Sequence, residues 1–111
     1  MFALLVIALV SVATQAQDTE SAKLHQNYPN PFSQATEIKY YLPSSGHVRI
    51  SVHNMLGNEL DVLINERKDE GDDRIRFDGS NYPSGQYTYT MTFASNDGRQ
   101  TKLSRKMYLV R

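Results

Sequence analysis

The side chains with the best chemistry for metal binding are two histidines on one predicted strand. His47 and His53 are six positions apart, which places both on the same face of an extended segment. At roughly 3.3 Å per residue the two imidazoles are about 20 Å apart. They are too distant to bind one metal ion, and we interpret them as surface histidines. His25 lies in a separate N-terminal segment.

Four carboxylates surround one glycine in the most highly charged part of the chain. Asp69, Glu70, Asp72 and Asp73 flank Gly71, and carboxylates on a flexible loop are ligands for Ca²⁺. Their spacing differs from that of an EF-hand loop. The sequence favours a solvated, charged loop over residues 65–73, with calcium binding left open.

The remaining composition argues against catalysis. Cysteine is absent, which excludes disulfides, thiolate nucleophiles and thiolate zinc sites. Serines and aspartates are frequent, but no histidine lies close to a nucleophile on a turn. The few glycines are scattered and form no phosphate-binding loop. We therefore predict no enzyme activity, no cofactor, no metal site and no small-molecule substrate. The zero formal charge also gives no general attraction to nucleic acid.

Charge is distributed unevenly along the chain. Most acids lie between Glu59 and Asp78, whereas residues 99–111 carry bases and no acid. A basic terminal strand is either a recognition edge for an acidic partner or an edge whose charges prevent aggregation. Both interpretations remain open at this point. The basic residues are Arg99, Lys102, Arg105, Lys106 and Arg111.

The pattern of the N-terminal residues indicates an export signal. Residues 2–13 are almost entirely apolar, but the run is shorter than the about 20 residues of a membrane span. Small residues follow it, as at a signal peptidase site. We predict a signal peptide over residues 1–16, cleaved between Ala16 and Gln17, then a polar linker over residues 17–23 and one domain over residues 24–111.

The domain shows the period-2 alternation of short β-strands. Turn residues separate the runs, including Asn96-Asp97-Gly98, a strong hairpin signal. Arg105 interrupts the last apolar row, which predicts a bulge or an edge position there. The pattern predicts an all-β, immunoglobulin-like sandwich of about six to seven short antiparallel strands. The inward rows are Ile38/Tyr40/Leu42, Val48/Ile50/Val52, Leu60/Val62/Ile64, Ile75/Phe77, Tyr87/Tyr89/Met91/Phe93 and Leu103/Met107/Leu109.

A stiff, proline-containing segment precedes these strands. In residues 27–32, Pro29 and Pro31 fix their own φ angles and favour extended backbone before them. Prolines lack the N–H group that a central strand needs. The segment is predicted to be an edge strand that docks on the sandwich through Tyr28 and Phe32.

This segment and the motifs after it resemble a known family. Residues 24–32, Leu42-Pro43, Leu56-Gly57 and residues 84–89 closely resemble the type A C-terminal sorting domain of the type IX secretion system in Bacteroidetes-type bacteria. Residues 106–111, which begin with a base and continue with apolar side chains, also resemble that family. The resemblance covers residues 24–111. The immunoglobulin-like domain of flagellar hook-capping proteins shares much of this pattern.

The resemblance implies a non-catalytic export module. After Sec export and signal peptidase cleavage, such a domain directs its protein across the outer membrane through the type IX translocon, and a sortase usually then removes it. The expected location is the periplasm in transit, then the cell surface or the extracellular space. The sorting-signal elements would be Asn27, Tyr28, Pro29, Asn30, Pro31, Phe32, Gly85, Tyr87, Lys106, Met107, Leu109, Val110 and Arg111.

Two points keep an alternative open. Phe77 stands where the family often has tryptophan, and the domain follows the apolar run directly instead of a large cargo. Either a stand-alone copy or a remnant of a larger gene would give this arrangement. The alternative function is a small secreted immunoglobulin-like binding or structural module at the cell surface.

Overall fold

The computed structural model describes residues 21–111, which form seven strands and no helix. The predicted signal peptide, its cleavage site between Ala16 and Gln17, and linker residues 17–20 lie outside the described residues. Residues 21–111 contain no helix with the length and hydrophobicity needed to cross a membrane. The strands are β1 (Lys23–Leu24), β2 (Ala35–Leu42), β3 (Gly46–His53), β4 (Glu59–Lys68), β5 (Gly71–Asp78), β6 (Gly85–Ser95) and β7 (Gln100–Leu109).

The strands form two antiparallel sheets that pack face to face. One sheet has the order β1-β2-β5 and the other β4-β3-β6-β7. The chain changes sheet between β2 and β3, between β4 and β5, and between β5 and β6. This arrangement confirms the predicted all-β, immunoglobulin-like sandwich. Among the described strands, β7 is an edge strand that pairs through a strand ladder only with β6.

The core lies between the sheets and consists of the alternating residues that the sequence indicates. On the central strands β2, β3 and β6 every predicted inward residue is at most 5% exposed. Each of these strands has a neighbour on both sides, so its inward row faces the opposite sheet along its whole length. The predicted alternation is therefore confirmed where burial is strongest.

The predicted apolar row of β4 is wrong in part, because the register with β3 shifts at two places, after Ile50 and after Val52. Ile50 pairs with Ile64, whereas the next residue, Ser51, pairs with Val62. Leu63 is therefore an extra residue, and a bulge of this kind changes which side chains face the core. Leu63 packs against the core, while Val62 is 38% exposed.

The predicted loop over residues 65–73 is also wrong, because most of it is strand. β4 extends to Lys68 and β5 begins at Gly71, so only Asp69 and Glu70 connect them. The Lys68 Nζ atom lies 3.2 Å from Asp73 Oδ2. Residues 21–111 contain no group of three or more histidine or acidic side chains placed to bind a metal ion.

The folded sandwich begins at Ala22, two residues before the predicted domain boundary at Leu24. Ala22 is 7% exposed and belongs to the core, and Lys23 pairs with Tyr41 in β1. The end of the polar segment thus adds a short edge strand to the smaller sheet. Two residues of strand were too few for a period-2 signal in the sequence.

Candidate functional site

The proline segment, residues 26–32, lies along the outer edge of β7 near its end. The Phe32 N–H donates to the Tyr108 carbonyl, and the Val110 N–H donates to the Phe32 carbonyl, both at 2.9 Å. Asn30 Oδ1 accepts the Tyr108 N–H at 3.0 Å, and Gln26 Nε2 donates to the Lys106 carbonyl at 2.8 Å. The segment therefore covers the β7 edge from Lys106 to Val110.

The segment is not a regular strand. It forms two isolated bridges, antiparallel from Tyr28 to Glu37 and parallel from Phe32 to Leu109. Both X–Pro peptide bonds, before Pro29 and Pro31, are cis. Because its bridges are isolated, the segment is an irregular connection that contacts both sheets, in place of the predicted edge strand.

Of the two aromatic anchors predicted for this segment, only one docks. Phe32 is 2% exposed, and its ring meets that of Phe77 edge to face at 6.0 Å between centroids. Gly79 lies against it, since a Cβ there would come within 3.0 Å of the Phe32 ring and 3.2 Å of a Leu109 methyl group. Tyr28 is 81% exposed, so its predicted packing role is wrong.

Asn27 is the polar centre of the segment. It is 2% exposed, and its Nδ2 atom donates to Thr36 Oγ1 at 2.9 Å and to the Pro29 carbonyl at 3.1 Å. The Thr36 hydroxyl donates to the same carbonyl at 2.8 Å. A side chain with both donor and acceptor groups fits this position because each buried polar group needs a partner.

The Tyr89 hydroxyl connects this network to the core of the larger sheet. It accepts the Asn27 N–H at 2.8 Å and donates to the His25 carbonyl at 2.6 Å. Burial disfavours the phenolate and raises the pKa of Tyr89 to about 12, so the hydroxyl remains a donor at physiological pH. Residues 25–27 are thus fixed to β6 by one tyrosine.

Arg105 accounts for the interruption in the apolar row of β7. The register between β6 and β7 is continuous from Gly85↔Leu109 to Ala94↔Gln100, so the predicted bulge is absent and the predicted edge position is confirmed. The Arg105 Nε atom donates to the Leu24 carbonyl at 2.7 Å. An arginine fits an inward position here because it joins the edges of the two sheets.

Gly85 and Tyr87 lie opposite the end of β7. Gly85 pairs with Leu109 and Tyr87 with Met107. Tyr87 is 5% exposed, and its hydroxyl donates to the Pro83 carbonyl at 2.5 Å. A tyrosine that bonds the backbone just before its strand is the tyrosine corner of immunoglobulin-like domains. Its position points to a role in holding the turn before β6.

The end of the chain separates buried from exposed side chains. Met107 and Leu109 are at most 1% exposed, whereas Val110 is 57% exposed and Lys106 is exposed. The Arg111 guanidinium donates to the Gly79 carbonyl, and its N–H donates to Ser84 Oγ at 3.0 Å. The exposed groups near the chain end are therefore held on a fixed framework.

A sequence family described as the secretion system C-terminal sorting domain matches residues 26–107. The chain belongs to this family. The resemblance to the type IX secretion sorting domain is thereby confirmed. The matched range runs from Gln26 to Met107 and includes the whole proline segment. Of that segment's hydrogen bonds with β7, it includes the bond from Gln26 to Lys106. No curated protein sequence matches the chain significantly.

Two solved structures share the fold of this sorting domain. Dimeric latent PorU from Porphyromonas gingivalis matches with a TM-score of 0.64 and 20% identity, over 84% of this chain and 10% of that chain. The chain therefore corresponds to about a tenth of the PorU chain. CopC from Methylosinus trichosporium OB3b matches with a TM-score of 0.51 and 13% identity, over 80% of this chain and 93% of that chain. At these identities the similarity concerns the fold alone.

The structure of the sorting domain brings together elements that the sequence predicts separately. Residues 27–32, the pair Gly85 and Tyr87, and residues 106–111 meet at one end of the sandwich. Sequence reasoning did not assign a joining role to three side chains, Gln26, Thr36 and Arg105, or to the contact at Gly79. Only the break that Arg105 makes in its apolar row was a usable signal.

Proposed function

We propose that this domain is a non-catalytic sorting module that directs a protein across the outer membrane by the type IX secretion system. Its partners are the outer-membrane translocon and the sortase, after the Sec machinery and signal peptidase have acted near residues 16–17. The route leads through the periplasm to the cell surface or the extracellular space. The family match over residues 26–107 is the observation that carries this proposal.

The geometry supports a recognition surface at the end of β7. The buried side chains Met107 and Leu109 anchor the strand, while Lys106 and Val110 project from it. The described residues begin at Ser21. Ser21 lies at the other end of the sandwich, where it lines a cavity with Ser44 and Thr101. A cargo attached there would leave the β7 end accessible to the machinery.

A reporter export assay tests this proposal. A reporter is inserted between residues 20 and 21 of the full chain and expressed in a type IX-competent host. Lys106→Glu combined with Val110→Ser changes two exposed side chains without removing a core residue. We expect surface delivery to fall at least about tenfold, because side chains at the rim of an interface control partner recognition.

The matched control makes the same chemical changes elsewhere. Lys39→Glu combined with Val62→Ser also alters one exposed lysine and one exposed valine, and it should leave delivery unchanged. Equal delivery of both variants would contradict the proposed recognition surface. A reporter that folds but stays in the periplasm in every variant, including the unmodified one, would instead favour a secreted binding module.

A further inference from the structure

The outer edge of β7 is covered along only half of its length. The register with β6 directs the backbone groups of even-numbered residues away from the sheet. The Lys106 carbonyl, both backbone groups of Tyr108 and the Val110 N–H bond to the proline segment. Within residues 21–111, the outward N–H and C=O groups of Lys102 and Ser104 have no hydrogen-bond partner. The open stretch spans about five residues, from Gln100 to Ser104.

A groove borders this open stretch. It has a volume of about 330 Å³ and lies between β7 and β1, with Leu24 and Ala22 on one wall and Leu103 on the other. The Leu24 carbonyl also points toward β7, since it accepts the Arg105 Nε–H at 2.7 Å. The groove thus combines apolar side chains with unpaired backbone, the two features by which a sheet edge binds an added strand.

The charges around the groove select an acidic occupant. Lys102 projects from the outer face of β7 and Arg105 from its inner face, and no acid occurs in residues 98–111. Arg105 uses its Nε atom on Leu24 and, among residues 21–111, forms no salt bridge. A carboxylate on an added strand would lie opposite a base on each face of the sheet, and such cross-strand pairs of opposite charge are stabilising.

We infer that the stretch from Gln100 to Arg105 binds an extended acidic segment of a partner protein, which adds to the larger sheet as a strand beside β7. Acidic residues of that segment face Lys102 and Arg105, and an apolar residue between them faces Leu103. The proline segment sets the limit of the site at Lys106. The inference is independent of the sorting route, because it rests on the edge and its charges.

A synthetic peptide tests the site on the purified protein. The acetylated and amidated peptide Glu-Thr-Val-Glu-Val, antiparallel to β7, places acids opposite Arg105 and Lys102 and valine opposite Leu103. We expect saturable binding in isotope-edited NMR, with the largest amide shifts at Lys102 and Ser104, and weaker binding at higher salt. The peptide Lys-Thr-Val-Lys-Val is the charge-reversed control and should not bind.

Two variants separate the contributions of charge and backbone. Lys102→Glu should weaken peptide binding by about tenfold, since attraction becomes repulsion, whereas Arg67→Glu, the same change on an exposed residue of β4, should not. Ser104→Pro removes an outward N–H group and leaves both bases in place. Edge strands tolerate proline, and this variant should also bind the peptide more weakly. Equal binding of both peptides, or shifts outside residues 100–105, would overturn the inference. The reporter export assay tests the sorting function separately. If either the peptide-binding site or the sorting function fails its test, the other is not contradicted.

Discussion

At the scale of single residues, buried polar groups determine how the proline segment is held. Asn27 bonds to a threonine, a tyrosine and a backbone carbonyl while almost fully buried. No buried side-chain nitrogen or oxygen within residues 21–111 lacks a partner. Removing one member of such a network leaves its partners unsatisfied, which costs more than the bond itself contributes.

Asn27→Ala should therefore lower the free energy of unfolding by about 2–3 kcal/mol, because it removes the amide donor that the Thr36 hydroxyl and the Pro29 carbonyl accept from. Urea denaturation measures this loss. Asn65→Ala, at an exposed asparagine, is the control and should change stability by less than about 0.5 kcal/mol.

A double-mutant cycle identifies the contact responsible. Thr36→Val removes the other side of the bond, and the combined variant should show a coupling energy of about 1 kcal/mol or more with Asn27→Ala. Strict additivity of the two losses would show that Asn27 acts without Thr36.

At the scale of elements, the proline segment and β7 stabilise each other. Main-chain bonds at Phe32 and side-chain bonds from Asn30 and Gln26 satisfy the β7 edge from Lys106 to Val110. The same segment places Phe32 against Phe77 and Leu109. The end of the chain is therefore ordered by residues more than seventy positions earlier.

The two aromatic residues of the segment should differ sharply in their effect on stability. Phe32→Ala should cost about 3–5 kcal/mol, the range for removing a buried aromatic side chain, while Tyr28→Ala should change stability by less than about 0.5 kcal/mol. Thermal and urea unfolding of the two variants provide the measurement. Similar losses of stability for the two variants would mean that the Tyr28 side chain also packs against the sandwich.

At the scale of the whole molecule, each sheet contains one tyrosine that is at most 1% exposed, Tyr40 in the smaller sheet and Tyr89 in the larger. Burial raises the pKa of Tyr40 and of Tyr89 to about 12, from an ordinary value of 10.0. The nearby Asp73 carboxylate adds to the effect at Tyr40. The folded protein thus keeps both phenols neutral at a pH where the unfolded chain ionises them.

The free energy of unfolding should consequently be insensitive to these groups below about pH 10 and should fall as the pH rises from about 10 to about 12. Urea denaturation at pH 8 and at pH 11 measures the loss. Tyr40→Phe removes one of the two phenols and should make the decline smaller. A variant that loses as much stability as the unmodified protein over this interval would contradict the assignment to Tyr40.

The sequence by itself determined the fold class, the strands β2 to β7 in outline and the family. Alternation on β2, β3 and β6 identifies the core because each of these strands has one face fully buried between two sheets. The family motifs lie in continuous stretches of the sequence. These properties depend on neighbours along the chain, and a sequence displays them directly.

Only the tertiary structure decided which edges are open and which aromatic residues dock. Tyr28 and Phe32 look equivalent in the sequence, but only Phe32 meets the opposite sheet. The bulge at Leu63 and the strand hidden in residues 65–73 depend on the register with a partner strand. The β7 edge is divided into covered and open halves by Gln26, Asn30 and Phe32. Contacts between segments that are far apart in the sequence determine these features, so the local periodicity of apolar residues does not predict them.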